Sequence, residues 1–204
     1  MKKRIEQKLR LERRQLWELM SRMHQLGGST LHPARTVTST YFDTPELAMF
    51  TDTVEGCVPR KKLRVRCYGK HSRCCAQTHS LEIKMTTEEG RFKAVMPCSD
   101  WTRYEAGGIV ERDYGICMAK VIVSYRREYY SVAGVRITID SDISYRRSVG
   151  VTRSEAAVCD PETIVEIKAS PDVSTDTLQE AFPWPTVHFS KYERAIEALY
   201  RGGW

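Results

Sequence analysis

Arg60-Lys61-Lys62-Leu63-Arg64-Val65-Arg66-Cys67-Tyr68-Gly69 alternates with a period of two residues. Lys62, Arg64, Arg66 and Tyr68 fall on one side, and Lys61, Leu63, Val65 and Cys67 on the other. Successive side chains of a strand point to opposite faces, so the stretch predicts a strand with a cationic face. Cations at i, i+2 and i+4 of such a strand stand about 6–7 Å apart. A charged edge that discourages sheet-to-sheet pairing has the same pattern. Recurrence of the pattern along the chain favours a built cationic surface.

Upstream, Arg4 to Leu11 sets Arg4, Glu6, Lys8 and Arg10 against Ile5, Gln7, Leu9 and Leu11. This predicts a first strand with a charged face. From Glu12 to Leu26 the apolar residues Leu16, Leu19, Met20, Met23 and Leu26 recur at three and four, an amphipathic helix stopped by Gly27-Gly28. Thr36 to Phe42 reads as a strand. Thr44-Pro45-Glu46 supplies an N-cap, a first-turn proline and an early acid for a short helix running to about Glu55.

Downstream, Lys70 to Thr78 is a polar loop. Ser80 to Thr86 carries Glu82 and Lys84 against Leu81, Ile83 and Met85, and a Glu88-Glu89-Gly90 turn returns the chain through Arg91 to Met96. Gly107-Gly108 argues against one long helix over Trp101 to Tyr114. Val121 to Val132 is strand-like, with Ser124, Arg126 and Glu128 on one side; Val135 to Asp140 opposes Arg136, Thr138 and Asp140 to Val135, Ile137 and Ile139. Tyr145 to Ser148 continues irregularly. Thr163 to Ala169 sets Glu166 and Lys168 against Val165 and Ile167, and Pro171 to Pro185 reads as loop. Ser190-Lys191-Tyr192-Glu193 is a capping box opening a terminal helix.

The 204 residues suit a single domain over 1–204, with 41% apolar and 28% charged residues typical of a globular chain. A net charge of +6 favours an anionic partner. Basic residues alternate with acids instead of forming a stripe, and no stacking-aromatic motif accompanies them, which argues against nucleic acid. No apolar run reaches the ~20 residues of a membrane span, and the N-terminus resembles no secretory leader; the expected location is cytoplasmic. The seven cysteines include no C-x-x-C pair, and the five histidines show no ligand spacing, so a zinc site is not expected. Phosphate-loop, dinucleotide-binding and nucleophile-elbow motifs are absent.

An open sheet with helices on its apolar side accommodates most of this pattern. Three features favour closure instead: about eight strands, a number at which closing removes exposed edges, polar faces made almost wholly of Arg, Lys and Glu, and the repeated couples Glu6/Lys8, Glu82/Lys84 and Glu166/Lys168. The expectation is an α+β fold, a closed antiparallel β-barrel with helices packed outside and a charged lumen. Two cations 4 Å apart repel by roughly 4 kcal/mol at an effective dielectric near 20, so such a lumen calls for carboxylates or a polyanion. Cations for phosphates with acids for a divalent metal are the parts of phosphoryl transfer.

Lys62-x-Arg64-x-Arg66-x-Tyr68-Gly69, Leu81-Glu82-Ile83-Lys84, Val135-Arg136-Ile137-Thr138-Ile139-Asp140, Val165-Glu166-Ile167-Lys168 and Phe189-Ser190-Lys191-Tyr192 occur in an order that resembles VTC domains, the polyphosphate polymerase domains of the triphosphate tunnel metalloenzyme superfamily. Tyr41-Phe42-Asp43-Thr44-Pro45 and Ser124-Tyr125-Arg126-Arg127-Glu128-Tyr129 also resemble its segments. The resemblance runs from about Arg4 to Tyr200. It implies an eight-stranded tunnel in which the γ-phosphate of ATP passes to a polyphosphate chain with Mn²⁺ or Mg²⁺. Arg64, Arg66, Lys84 and Glu166 would carry the chemistry. Lys8, Lys62, Arg126, Arg136, Lys168, Ser190 and Lys191 would hold phosphates. Glu166 would hold the metal, with Glu6 and Glu82 as further candidates. A triphosphate or tripolyphosphate hydrolase, and a polyphosphate- or inositol-phosphate-binding module without turnover, are the alternatives. A homo-oligomer or a membrane-protein partner fits the same reading. The first strand lacks the aromatic that usually follows the lysine.

Overall fold

The computed structural model describes residues 5–69, 79–148 and 156–202. The predicted loop at Lys70 to Thr78 and the terminal Trp204 lie outside them.

In chain order the elements are β1 (Ile5–Leu11), α1 (Arg13–Gln25), β2 (Ser29–Asp43), α2 (Ala48–Glu55), β3 (Arg60–Tyr68), β4 (His79–Thr87), β5 (Gly90–Cys98), α3 (Trp101–Gly107), β6 (Ile109–Glu111), β7 (Gly115–Val132), β8 (Val135–Arg147), β9 (Val158–Asp160), β10 (Thr163–Ala169), α4 (Thr175–Ala181) and α5 (Lys191–Tyr200). The strands pair in the order β1-β10-β8-β7-β2-β3-β4-β5, with the short β6 on β7 and β9 on β8. The registers are antiparallel, from Lys8↔Glu166 at one end to Glu82↔Val95 at the other.

Among the described residues, eight strands lie on the main path, as expected, but the predicted closure is not found: the order ends at β1 and β5. β1 has its outer edge occupied by a later segment, through the Leu9↔Thr186 bridge and the Val187 N–H donated to Lys8 O at 2.8 Å. On β5, Arg91 to Pro97 are exposed on both faces, and Pro97 has no N–H to offer a neighbour.

Two compact units divide the chain, each drawn from three segments: Met1–Arg35, Tyr125–Ile143 and Asp160–Phe189 form one, and Thr36–Ser124, Ser144–Cys159 and Ser190–Trp204 the other. In the first, the odd-numbered face of β1 and β10 joins Ile137 and Ile139 of β8 in a core with Leu19 and Met23 of α1 and Leu178 of α4. α1 ends where Gly28 tucks under it: a Cβ there would come within 2.7 Å of Met23 O and 2.9 Å of Val132 Cγ2. In the second, Phe42, Leu63, Val65 and Leu81 pack with Met49 of α2 and Trp101 of α3. The strict alternation of β3 and β4 thus leaves their charged sides on the opposite face.

Two local expectations are corrected. The helix after β2 starts at Ala48, not Pro45; its first-turn N–H groups are met by Asp43, whose Oδ1 accepts from Met49 N at 2.9 Å and whose Oδ2 accepts from Phe50 N at 3.0 Å. Thr44 Oγ1 takes Ala48 N at 3.0 Å. The stretch read as loop from Pro171 to Pro185 contains α4, whose N-cap Ser174 accepts from Thr177 N at 3.0 Å. The C-terminal end of α4 is met by Arg22, which donates to Glu180 O and Ala181 O. Trp101 to Tyr114 resolves into α3 and β6, as its two glycines suggested.

Candidate functional site

In the second unit the cationic strand sits between β2 and β4, so its charged face is framed by theirs. Cross-strand pairing sets Arg64 between Tyr41 and Glu82, and Arg66 between Ser39 and Ser80. One row along, Lys62, Lys84 and Lys93 stand side by side on β3, β4 and β5. Neighbouring strands are about 4.8 Å apart, and like charges directly opposite one another destabilise a sheet. The face therefore carries built-in counter-charges. Glu82, only 3% exposed, takes Arg64 through Nε at 2.8 Å and Nη2 at 2.5 Å, Arg66 at 3.7 Å and Lys93 at 3.0 Å. Lys62 donates to Glu193 at 2.8 Å and to Ser190 Oγ at 3.1 Å. Ser190 also caps α5 by accepting from Glu193 N, and Lys191 opens that helix.

Burial works against the Glu82 anion, but the guanidinium groups of Arg64 and Arg66 and then Lys93 outweigh it, and the carboxyl falls from 4.5 to about 2. A carboxyl held lower in the folded chain than in the unfolded one adds stability that is complete above the unfolded value and lost as pH falls through the folded one. That shift is worth roughly 3 kcal/mol. In chemical denaturation the Glu82→Gln variant should be less stable than the parent at neutral pH, and the gap should close as pH falls toward about 2. Parallel profiles for the two proteins would count against this role.

In the first unit, β1 and β10 bring Glu-x-Lys against Glu-x-Lys in antiparallel register, so Glu6 faces Lys168 and Lys8 faces Glu166. Continuing across to β8, Lys168 faces Arg136 and Glu166 faces Thr138. Lys168 Nζ lies 3.4 Å from Glu166, and Lys8 Nζ donates to Phe189 O at 2.7 Å. Burial again opposes the Glu166 anion; a hydrogen bond shared with Glu6, then Lys168, Arg127 and Lys8, hold its carboxyl well below the usual range. Thr138 Oγ1 is buried with no hydrogen-bond partner among the described residues.

The sequence reading placed Arg126 at this face, but Arg126 is exposed and pairs with Glu128. Its neighbour takes the place: Arg127 forks onto Asp140 at 2.6 and 2.7 Å and reaches Glu166 at 4.0 Å. Arg136 is exposed at its register position beside Lys168. Lys93 and Tyr41 were also missed. Lys93 was recoverable, since the hairpin turn at Glu88-Glu89-Gly90 fixes it opposite Lys84.

The profile of the VTC domain matches residues 2–115 and 109–200. The chain belongs to the VTC domain family. A solved X-ray structure from Vibrio parahaemolyticus, titled "a putative adenylate cyclase", resembles this VTC domain with a TM-score of 0.54 and 14% identity, over 93% of this chain and 95% of that one. At that identity the likeness shows the fold. No curated protein gives a significant match to the VTC domain described here. None of its described helices is long and apolar enough to cross a membrane.

The divalent metal associated with the fold can be tested against these donors. Glu82 does not fit, because Arg64 at 2.5 Å and Lys93 at 3.0 Å hold its two oxygens at hydrogen-bond distance, whereas Lys168 and Arg127 stand 3.4 and 4.0 Å from Glu166. Glu6 and Glu166 do fit: two carboxyl groups sharing one hydrogen bond are a pair whose common proton a divalent cation can replace. No third His, Cys, Asp or Glu joins them among the described residues. Mg²⁺ and Mn²⁺ are commonly held in this way, by one or two carboxylates with water and substrate phosphates completing the shell.

Proposed function

We propose that this chain, as one VTC domain over residues 1–204, is a polyphosphate polymerase-type phosphotransferase that moves the γ-phosphate of ATP onto a polyphosphate chain. The observation that supports it most is the lysine row Lys62, Lys84 and Lys93 flanking Arg64 and Arg66, more positive charge on one sheet face than Glu82 and Glu193 balance. Arginine forks and lysine points match phosphate oxygens. Lys62, Arg64, Arg66 and Lys84 bind the phosphates of nucleotide or acceptor; Lys8, Arg127 and Lys168 supply the cations around the carboxylate pair. Glu166, with Glu6, would hold Mg²⁺ or Mn²⁺, and a dication there would supply neutralisation of phosphate charge.

A terminal oxygen of the acceptor chain forms the new bond to the γ-phosphorus while the bond to the β–γ bridging oxygen breaks. ADP leaves with the electron pair, and the acceptor grows by one phosphate. Positioning and charge neutralisation supply most of the rate, because this reaction asks little covalent work of the protein. Purified protein incubated with ATP and Mn²⁺ should yield polyphosphate. Release of free phosphate alone would make it a hydrolase, and neither product would leave a binding module.

An independent readout is thermal. Tripolyphosphate at a hundred times its dissociation constant should stabilise the fold by about 2.7 kcal/mol. No shift in melting temperature at low salt and saturating ligand would sink the anion site itself.

A further inference from the structure

We propose that Tyr41 is a positioning residue of this site, its hydroxyl and ring fixing the Arg64 guanidinium in the orientation that meets a phosphate. The inference rests on the anion-binding reading above. Arg64 is gripped from two sides: Nε and Nη2 donate to Glu82 Oε2, and Nη1 donates to Tyr41 Oη at 3.0 Å. Its Cζ also lies 5.7 Å from the centre of the Tyr41 ring. A guanidinium held at both ends cannot swing about its long stem, so less freedom is lost when it forks onto an anion.

Tyr41 is in turn held from behind. Its ring stacks on Tyr192 of α5, with centroids 5.0 Å apart and planes 22° from parallel. Phe50 of α2 meets the Tyr192 ring edge-on at 6.3 Å. The Tyr192 hydroxyl donates to Asp43, the fully buried carboxylate that also takes the backbone of Thr44, Met49 and Phe50. The orientation of Arg64 is thereby tied through two rings to the N-terminal turn of α2.

The arrangement has a second consequence. Among the described residues, the titratable groups around Tyr41 include Arg64 and Arg66 on β3, Lys84 and Glu82 on β4, Tyr192 on α5, and Asp43 two residues along β2. Burial would raise its phenol, but Arg64, Arg66 and Lys84 outweigh that and bring it down to about 8. Above that pH a phenolate beside Arg64 cancels part of the charge that attracts the ligand. Anion binding therefore weakens as pH rises through about 8, and removing the hydroxyl removes the step.

The test measures affinity for long-chain polyphosphate, whose internal phosphates keep a constant charge, without divalent metal, in the parent, Tyr41→Phe and Arg64→Ala. The phenylalanine variant keeps the stack. It should bind about tenfold more weakly at neutral pH, the lower end of what one hydrogen bond to a charged group is worth, and lose the alkaline step that the parent shows. Parental affinity in Tyr41→Phe overturns the proposal if Arg64→Ala is strongly impaired. So does a weakened Tyr41→Phe that keeps the alkaline step, because the step then belongs to another group. If Arg64→Ala binds like the parent, the anion-site reading fails and this inference goes with it. Should Tyr41→Phe not fold, a flat profile for the parent between neutral and alkaline pH is itself decisive against the role.

Discussion

Glu166→Gln is expected to lower metal-dependent turnover by roughly a thousandfold, about 4 kcal/mol of barrier, while polyphosphate still binds. Glutamine keeps the shape and one carbonyl acceptor, but it removes the charge that lets Glu166 and Glu6 act together on a dication. The cations around it, Lys168 at 3.4 Å and Arg127 at 4.0 Å, lose a counter-charge and attract anions at least as well as before. Turnover and binding therefore separate, and titration of Mn²⁺ should show the same loss without any reaction. Parental turnover in Glu166→Gln would show the carboxylate pair to be a structural couple only.

The largest stability effect belongs to Asp43→Ala. The carboxylate is fully buried and accepts four hydrogen bonds: three from the backbone of Thr44, Met49 and Phe50, and one from the Tyr192 hydroxyl. Alanine leaves all four donors without an acceptor, and each buried orphan costs about 1–3 kcal/mol. A loss of about 4 kcal/mol or more in denaturant unfolding is expected, with Asp43→Asn in between because its amide oxygen can still accept. A change under about 1 kcal/mol, the size of an ordinary surface substitution, would show the latch to be unimportant.

How much of this could be read from residues alone depended on how clean the alternation was. β3, β4 and β10 interleave cations or acids with Leu, Val and Ile, so their phase is unambiguous. The run Tyr125-Arg126-Arg127-Glu128-Tyr129-Tyr130 gives either face both charge and aromatic surface. Only burial of Tyr125 and Tyr129 settles which side Arg127 takes. α4 has a genuine cap in Ser174, but it is seven residues long and bracketed by prolines, too little for a periodic signal. The missing closure has a different cause. Facial patterning tells which way a strand faces, not whether two edges meet, and the claim of Thr186–Val187 on β1 is a distant contact that no local spacing announces. Asp43 illustrates the same limit: the helix it caps begins beyond the turn that sequence rules would have capped with Thr44.

The pairing of β1 with β10 also sets an order of events during synthesis. Lys8 and Leu9 leave the ribosome long before Glu166 and Val165, their partners across the ladder, exist. At about 5–20 residues per second that delay is on the order of ten seconds. Until Val132, Val135, Ile137 and Ile139 of β7 and β8 are made, the apolar side of β1, Leu9 and Leu11, has from its final core only the adjacent α1, through Leu19 and Met23. A nascent chain stalled before β10 should thus show a helix-protected but unpaired first strand, and conditions that melt α1 should expose the polypeptide to chaperone capture at that stage.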